Sequence, residues 1–221
     1  MIPMSHECNK YIISNRKFVR DFETMYQKVE DPWGQRACHV NDTVNNGALT
    51  FLTNLYSRWQ KQPQSILDVG CADGYFAESL LSLSASSCAS YVGTDISSTV
   101  IQKAHEFTAA SETKPQMKFF VDDIRVLNKG FVRRFDAIFS AKTLYYVAPE
   151  IDDVLENLDQ YLQPGGVLCF TYNQTPNAFT TRWLTYELLR EKLLSRSFSE
   201  QLLVEINRFQ QEVFVIGVFK K

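Results

Sequence analysis

The chain of 221 residues contains no run of 18 apolar residues, so nothing in it would cross a bilayer as a helix. It carries no excess of either charge: 23 Lys and Arg stand against 25 Asp and Glu, for a net charge of −2. A phosphate backbone finds no basic field to hold it, and nucleic acid is disfavoured as a partner. Isolated pairs such as Arg133-Arg134 read as solvated surface. The five cysteines, at 8, 38, 71, 88 and 169, form no Cys-x-x-Cys pair and leave one over. That scatter argues against a disulfide framework and fits free thiols in a reducing compartment. His6-x-Cys8 and Cys38-His39 hold four donor side chains, but their order and spacing match no ordinary zinc pattern, so no metal is expected. The first residues lack the charged-then-apolar order of a secretory leader, and no internal repeat or low-complexity tract is present. A cytoplasmic protein without membrane segments is the expectation.

What is present is concentrated in residues 65–75, Ser-Ile-Leu-Asp-Val-Gly-Cys-Ala-Asp-Gly-Tyr. An apolar strand (Ile66, Leu67, Val69) runs into a turn with small residues at Gly70, Ala72 and Gly74, and a helical pattern follows at once. Small residues let the backbone approach a ligand closely, and the N–H groups that open the next helix point into the same space. Twenty-one positions past Gly74, a second strand, Tyr91 to Thr94, ends in Asp95-Ile96. A carboxylate there can accept both hydroxyls of a ribose. A third strand, from Met117, ends in Asp122-Asp123-Ile124, a pair that can accept from an exocyclic amine beside an apolar residue that walls off a purine face. A fourth, Phe135 to Ser140, leads into Ala141-Lys142-Thr143-Leu144-Tyr145-Tyr146, and a fifth follows Pro164-Gly165-Gly166.

Strand and helix patterns alternate over 65–69, 74–83, 89–95, 97–109, 116–122, 134–140, 150–162 and 166–172, which predicts a doubly wound α/β sheet with helices on both faces. Two closing strand-like runs, 201–206 and 212–219, predict an antiparallel hairpin at one edge, for a mostly parallel seven-stranded sheet. Upstream, Phe18, Phe22, Met25, Tyr26 and Val29 make one helical stripe, stopped by Asp31-Pro32, and a longer helix is expected over about 43–60. A further helix is expected over about 179–194, with Trp183 on its apolar side, while residues 1–14 give no clear signal. The expectation is one domain, with a helical extension or lid over 1–60 and a Rossmann-like core over 61–221. In such sheets ligands sit beyond the carboxyl ends of the strands, where strand order reverses, so Gly70, Asp95, Asp123 and Ser140 should converge there.

The ordered set of motifs resembles class I S-adenosylmethionine-dependent methyltransferases. Asp68-Val69-Gly70-Cys71-Ala72-Asp73-Gly74 matches the family's first motif, with Ala72 in place of its middle glycine. The resemblance covers about residues 60–175 and implies S-adenosyl-L-methionine as cofactor, with Asp68, Gly70, Cys71, Ala72, Gly74, Asp95, Ile96, Asp122, Asp123, Ile124, Ser140, Ala141 and Lys142 around it. Tyr26 and Trp33 would shield the sulfonium, since an aromatic face beside a cation contributes roughly 0.5–2 kcal/mol; packing the helix end onto the domain is the alternative role for Trp33. Asp31-Pro32-Trp33 and Leu144-Tyr145-Tyr146-Val147 resemble the nodulation-factor N-methyltransferases, which methylate an amino sugar.

Tyr145 or Tyr146 is expected beside the methyl acceptor, and His39 is the candidate general base, its alternative role being structural. The expected activity is methyl transfer to a small-molecule acceptor, an amine such as an amino sugar. Methylation of a hydroxyl or carboxylate, or cofactor binding without catalysis, stays open. A nicotinamide-dependent oxidoreductase fits less well, because Tyr75-Phe76 follow Gly74 and no third glycine completes G-x-G-x-x-G.

Overall fold

The computed structural model describes residues 6–15, 17–34, 43–84, 89–112, 116–174, 183–208 and 212–221. In chain order the elements are α1 (His6–Ile12), a two-residue pair β1 (Ile13–Ser14) and β2 (Lys17–Phe18), α2 (Phe22–Lys28), α3 (Thr43–Trp59), β3 (Ser65–Val69), α4 (Ala77–Leu81), β4 (Ser90–Asp95) and α5 (Ser98–Phe107). Then come β5 (Met117–Val121), β6 (Phe135–Ala141), a 3₁₀ stretch over Leu144–Glu150, α6 (Ile151–Tyr161), β7 (Leu162–Asn173), α7 (Tyr186–Ser195), β8 (Ser199–Arg208) and β9 (Glu212–Lys220).

Seven strands form one sheet in the order β5-β4-β3-β6-β7-β9-β8. The first five run parallel, and β9 lies antiparallel between β7 and β8. The expected doubly wound sheet with its closing hairpin is therefore what the chain forms. Strand order reverses between β3 and β6, which places the crevice of such sheets at the C-terminal ends of these two strands. The central strand is apolar almost throughout because both its faces are covered. Leu67 and Val69 face one core with Ile138, Leu155 and Leu158, and Ile66 faces the other with Tyr56, Ala77 and Leu80.

Several boundaries differ from those the sequence suggests, each for a local reason. Phe18 lies in β2, not in a helix, because Arg20 takes a left-handed backbone (φ 57°) and Asp21 caps a helix that starts at Phe22, its Oδ1 accepting from Thr24 N at 3.2 Å. Residues 6–12, without a signal in the sequence, are helical, and Cys8 and Ile12 are wholly buried there. The helix expected over 74–83 is confined to α4 because its first residues build the turn at the tip of β3. β7 begins at Leu162, ahead of Gly166. Trp183 precedes α7 and is about half exposed, its ring set edge-on to Phe18 at 5.7 Å. Among the described residues no helix is long and apolar enough to cross a membrane, and no group of three or more His, Cys, Asp or Glu could hold a metal ion.

Candidate active site

At the tip of β3 the chain turns sharply. The N–H groups of Gly70 and Cys71 both donate to Thr94 O, at 2.8 and 3.0 Å, which locks the turn to the end of β4. Gly70 has φ 74°, and a Cβ there would lie 2.3 Å from the hydroxyl oxygen of Thr143, the side chain that closes over it from the end of β6. Ala72 also sits in the left-handed region, at φ 50°, so the alanine in the motif keeps the glycine conformation at a cost of about 1–2 kcal/mol. Its N–H donates to Asp95 Oδ2 at 3.3 Å.

Asp95 ends β4 and receives a second backbone donor, Ser97 N, on Oδ1 at 3.1 Å. Burial against the sheet pushes its carboxyl up to about 6 despite these bonds. Asp68, one strand over, is buried and accepts from Tyr91 Oη at 2.8 Å; burial pushes it up to about 7. Cys71 is buried beside these carboxylates, and burial followed by their charge raises its thiol well above the usual range.

Helix α2 lies across this turn. Met25 and Tyr26 pack on Ala72 and on Val100 of α5, with Phe22 and Trp33 at the margin. Tyr26 is nearly buried; its hydroxyl accepts from Trp33 Nε1 at 2.7 Å and feels the charge of Asp95. Tyr146 stands against the same cover, edge-on to Phe22 (5.4 Å between ring centres), tilted to Trp33 (5.7 Å) and edge-on to Tyr145 (4.4 Å). Tyr145 is buried and packs edge-on to Tyr172 at 5.4 Å. The result is an aromatic roof over the ends of β3, β4 and β6.

The remaining residues expected at the site are spread around it. Both oxygens of Asp123 take bonds from Arg125, at 2.6–3.1 Å, so this carboxylate meets a guanidinium rather than standing open for an amine, and those bonds hold its carboxyl below the usual range. Asp122 accepts from Asn128 Nδ2 at 2.9 Å. Ile124 is nearly buried, its carbonyl held by Asn157 Nδ2 at 2.8 Å, while Ile96 is exposed. Gly74 has φ 74°, and Lys142 is left-handed at φ 55°, its N–H donating to Thr171 O at 2.9 Å. Ala141 is the last residue of β6. His39 lies outside the described residues.

Three participants have no motif to announce them. Asn45 of α3, 1% exposed, donates to Tyr75 Oη at 2.9 Å and accepts from Thr171 Oγ1 at 3.0 Å, tying the glycine turn to the end of β7. Glu23 of α2 meets the start of α5. Arg20 forms a two-pronged pair with Glu150 at 2.8 and 3.0 Å. Only the polar residue at buried 45, within an apolar helical face, was a signal in the sequence.

An adenosyl group fits this arrangement. Asp95 presents acceptor oxygens at the strand end, and Ser140, fully buried at the end of β6, has a hydroxyl with no hydrogen-bond partner. Such an orphan buried oxygen is costly unless something occupies it.

Comparison with known proteins agrees. Residues 67–168 match the family model described as a methyltransferase domain. The chain is 29% identical over 132 residues to malonyl-[acyl-carrier protein] O-methyltransferase 2 of Ilyobacter polytropus, an alignment covering 59% of this chain. The chain spans only 44% of that relative's length. Among solved structures it resembles the N-methyltransferase NodS of Bradyrhizobium japonicum in complex with S-adenosyl-L-homocysteine (TM-score 0.68, 22% identity, 90% of this chain and 97% of that one). It also resembles the [4+2]-cyclase SpnF (TM-score 0.61, 17% identity, 77% and 80%), so the fold alone does not fix the reaction. Residues 67–168 thus carry a likeness to a methyltransferase domain, on a fold that the chain shares with a protein solved with S-adenosyl-L-homocysteine bound. The cofactor these likenesses indicate is S-adenosylmethionine, and the glycine turn with Asp95 is the part of this chain with the geometry to hold it.

Proposed function

We propose that the protein transfers a methyl group from S-adenosylmethionine to a small-molecule acceptor, and that the atom methylated is an amine nitrogen, as in an amino sugar. The observation that supports this is the meeting, at one crevice, of the Gly70–Gly74 turn, the Asp95 carboxylate and the aromatic roof of Tyr26, Trp33 and Tyr146. Bound there, S-adenosylmethionine supplies a methyl group already activated on a sulfonium. The chain's part is to hold and to exclude water. Asp95 accepts the ribose hydroxyls, Ser140 offers its hydroxyl, and the roof places aromatic faces beside the cation. Holding the nucleophile in line supplies on the order of 7–11 kcal/mol.

An amine acceptor is supported by the two tyrosines, which are the described residues expected beside it. Burial raises Tyr146 and Tyr145 well above the ordinary phenol range, so both stay protonated and can orient a nucleophile but not deprotonate it. An amine desolvated beside a sulfonium loses its proton without help, whereas an unactivated hydroxyl does not. A carboxylate acceptor also needs no base, and the likeness to an O-methyltransferase of malonyl-[acyl-carrier protein] favours it as the second reading.

The test is incubation with S-adenosylmethionine labelled in the methyl group and separate panels of amines, amino sugars and carboxylic acids. Label released as methanol by mild alkali marks a methyl ester, and alkali-stable label located on nitrogen by fragmentation mass spectrometry marks an N-methyl product, whereas label located on a hydroxyl oxygen marks an ether. No transfer to any acceptor, with the cofactor bound, would leave a binding module and end the enzymatic reading.

A further inference from the structure

Helix α2 is fastened across the crevice by charged contacts that neither the glycine turn nor the aromatic roof requires. The carboxylate of Glu23 takes four donors from the start of α5: Ser97 Oγ at 2.7 Å, Thr99 Oγ1 at 2.6 Å, Ser98 Oγ at 3.2 Å and Thr99 N at 3.2 Å. Helix α5 already has its own cap, because Ser97 Oγ accepts from Val100 N at 3.3 Å. Glu23 thus caps it a second time, from another helix, and adds a negative charge at the positive end of the helix. Ser97 also donates its N–H to Asp95 Oδ1, so a single residue separates the lid carboxylate from the carboxylate at the strand end.

The lid covers what it touches. Ala72 is 3% exposed, Ser97 is fully buried and Tyr26 is 6% exposed, so a ligand reaches the turn and Asp95 from this side only when α2 lifts. Three residues before Glu23, Arg20 pairs with Glu150 in the stretch after β6. The lid is therefore pinned to the β4 side of the crevice by Glu23 and to the β6 side by Arg20.

We propose that Glu23 is a cofactor-positioning residue: by gathering Ser97, Ser98 and Thr99 it sets the loop that carries Asp95 only while α2 lies across the crevice, so that lid closure and cofactor residence are one event. When α2 lifts, the loop loses four acceptor contacts and Asp95 loses the support that aims it. Product leaves through the same movement. This rests on the adenosyl-binding role given above to the crevice.

The experiment is calorimetric and stopped-flow binding of S-adenosylhomocysteine to wild type, Glu23→Gln, Thr99→Val and the double variant, with amide hydrogen exchange over residues 22–28 and 97–100. Wild type should bind with added protection in both segments. Glu23→Gln, folded and of similar melting temperature, should bind roughly tenfold more weakly through faster dissociation, with no ligand-dependent protection of residues 22–28. The double variant should lose much less than the product of the two single losses. If Glu23→Gln fails to fold, Thr99→Val, which keeps the carboxylate and removes one donor, decides by the same two readouts. Unchanged affinity and exchange in a folded variant overturns the latch alone. Failure of the wild type to bind S-adenosylhomocysteine overturns the crevice assignment and the latch with it.

Discussion

Replacing Asp95 by Asn should move stability and cofactor binding in opposite directions. In the cofactor-free protein the carboxyl of Asp95 is pushed up from 3.8 to about 6, chiefly by burial. At pH 7 it is ionised in both folded and unfolded chains, and its ionisation in the folded state costs about 3 kcal/mol more, at about 1.36 kcal/mol per tenfold change in proton affinity. Asparagine removes that cost. It also turns an amide NH₂ toward one of the backbone donors, Ala72 N or Ser97 N, and forfeits that charge-assisted bond, worth about 1.5–3 kcal/mol. The balance is a free protein at least as stable as wild type, by up to about 1.5 kcal/mol. Cofactor binding loses two charge-assisted bonds to the ribose, each about 1.5–3 kcal/mol, so the affinity for S-adenosylhomocysteine should fall by about 10²- to 10⁴-fold. Urea unfolding without ligand and calorimetric titration with it measure the two quantities. A variant clearly less stable than wild type, or one that binds within threefold of it, would refute the role given to this carboxylate.

Three further outcomes follow from other residues. Trp33→Ala should weaken S-adenosylmethionine binding more than S-adenosylhomocysteine binding, by roughly threefold, because only the former carries a cation for the roof to face; equal losses in paired titrations would assign Trp33 to packing alone. Acid and neutral pH should act oppositely on the free protein. Glu23, held near 2 against an ordinary 4.5 by its hydrogen bonds, stabilises above pH 4.5 and loses that contribution as pH falls toward 2. Asp68 and Asp95, raised to about 7 and about 6, hold more protons folded than unfolded, so their effect is a loss of stability as pH climbs from about 4 through 7. Thermal melts across pH should show both slopes, and the upper one should shrink in Asp95→Asn. Asn45→Ala removes a partner of buried Thr171 and one of Tyr75 and should cost about 1–3 kcal/mol in chemical denaturation; a neutral result would mean water replaces the amide.

The strand ends were legible in the sequence because strand periodicity, glycine turns and terminal acids are local properties. Gly70, Asp95, Asp123 and Ser140 were placed at the carboxyl ends of their strands by pattern alone, and alternation with helices fixed the parallel sheet. Even the closing hairpin, β8 with β9, could be read from two apolar runs separated by a few polar residues. Helix starts were less legible where a single cap overrode an apolar stripe, as Asp21 does for Phe18.

The amino-acid order thus determined which residues reach the rim of the crevice, since each strand's length and polarity are written along the chain. Tertiary structure alone decided whom they meet there. Arg20 reaches Glu150, Asn45 bridges Tyr75 and Thr171, and Glu23 finds Ser97 to Thr99 more than seventy positions away. A hydrogen bond has reach and direction of a few ångströms, and it is the packing of α2, α3 and the sheet, not the spacing of letters, that brings donor and acceptor within it.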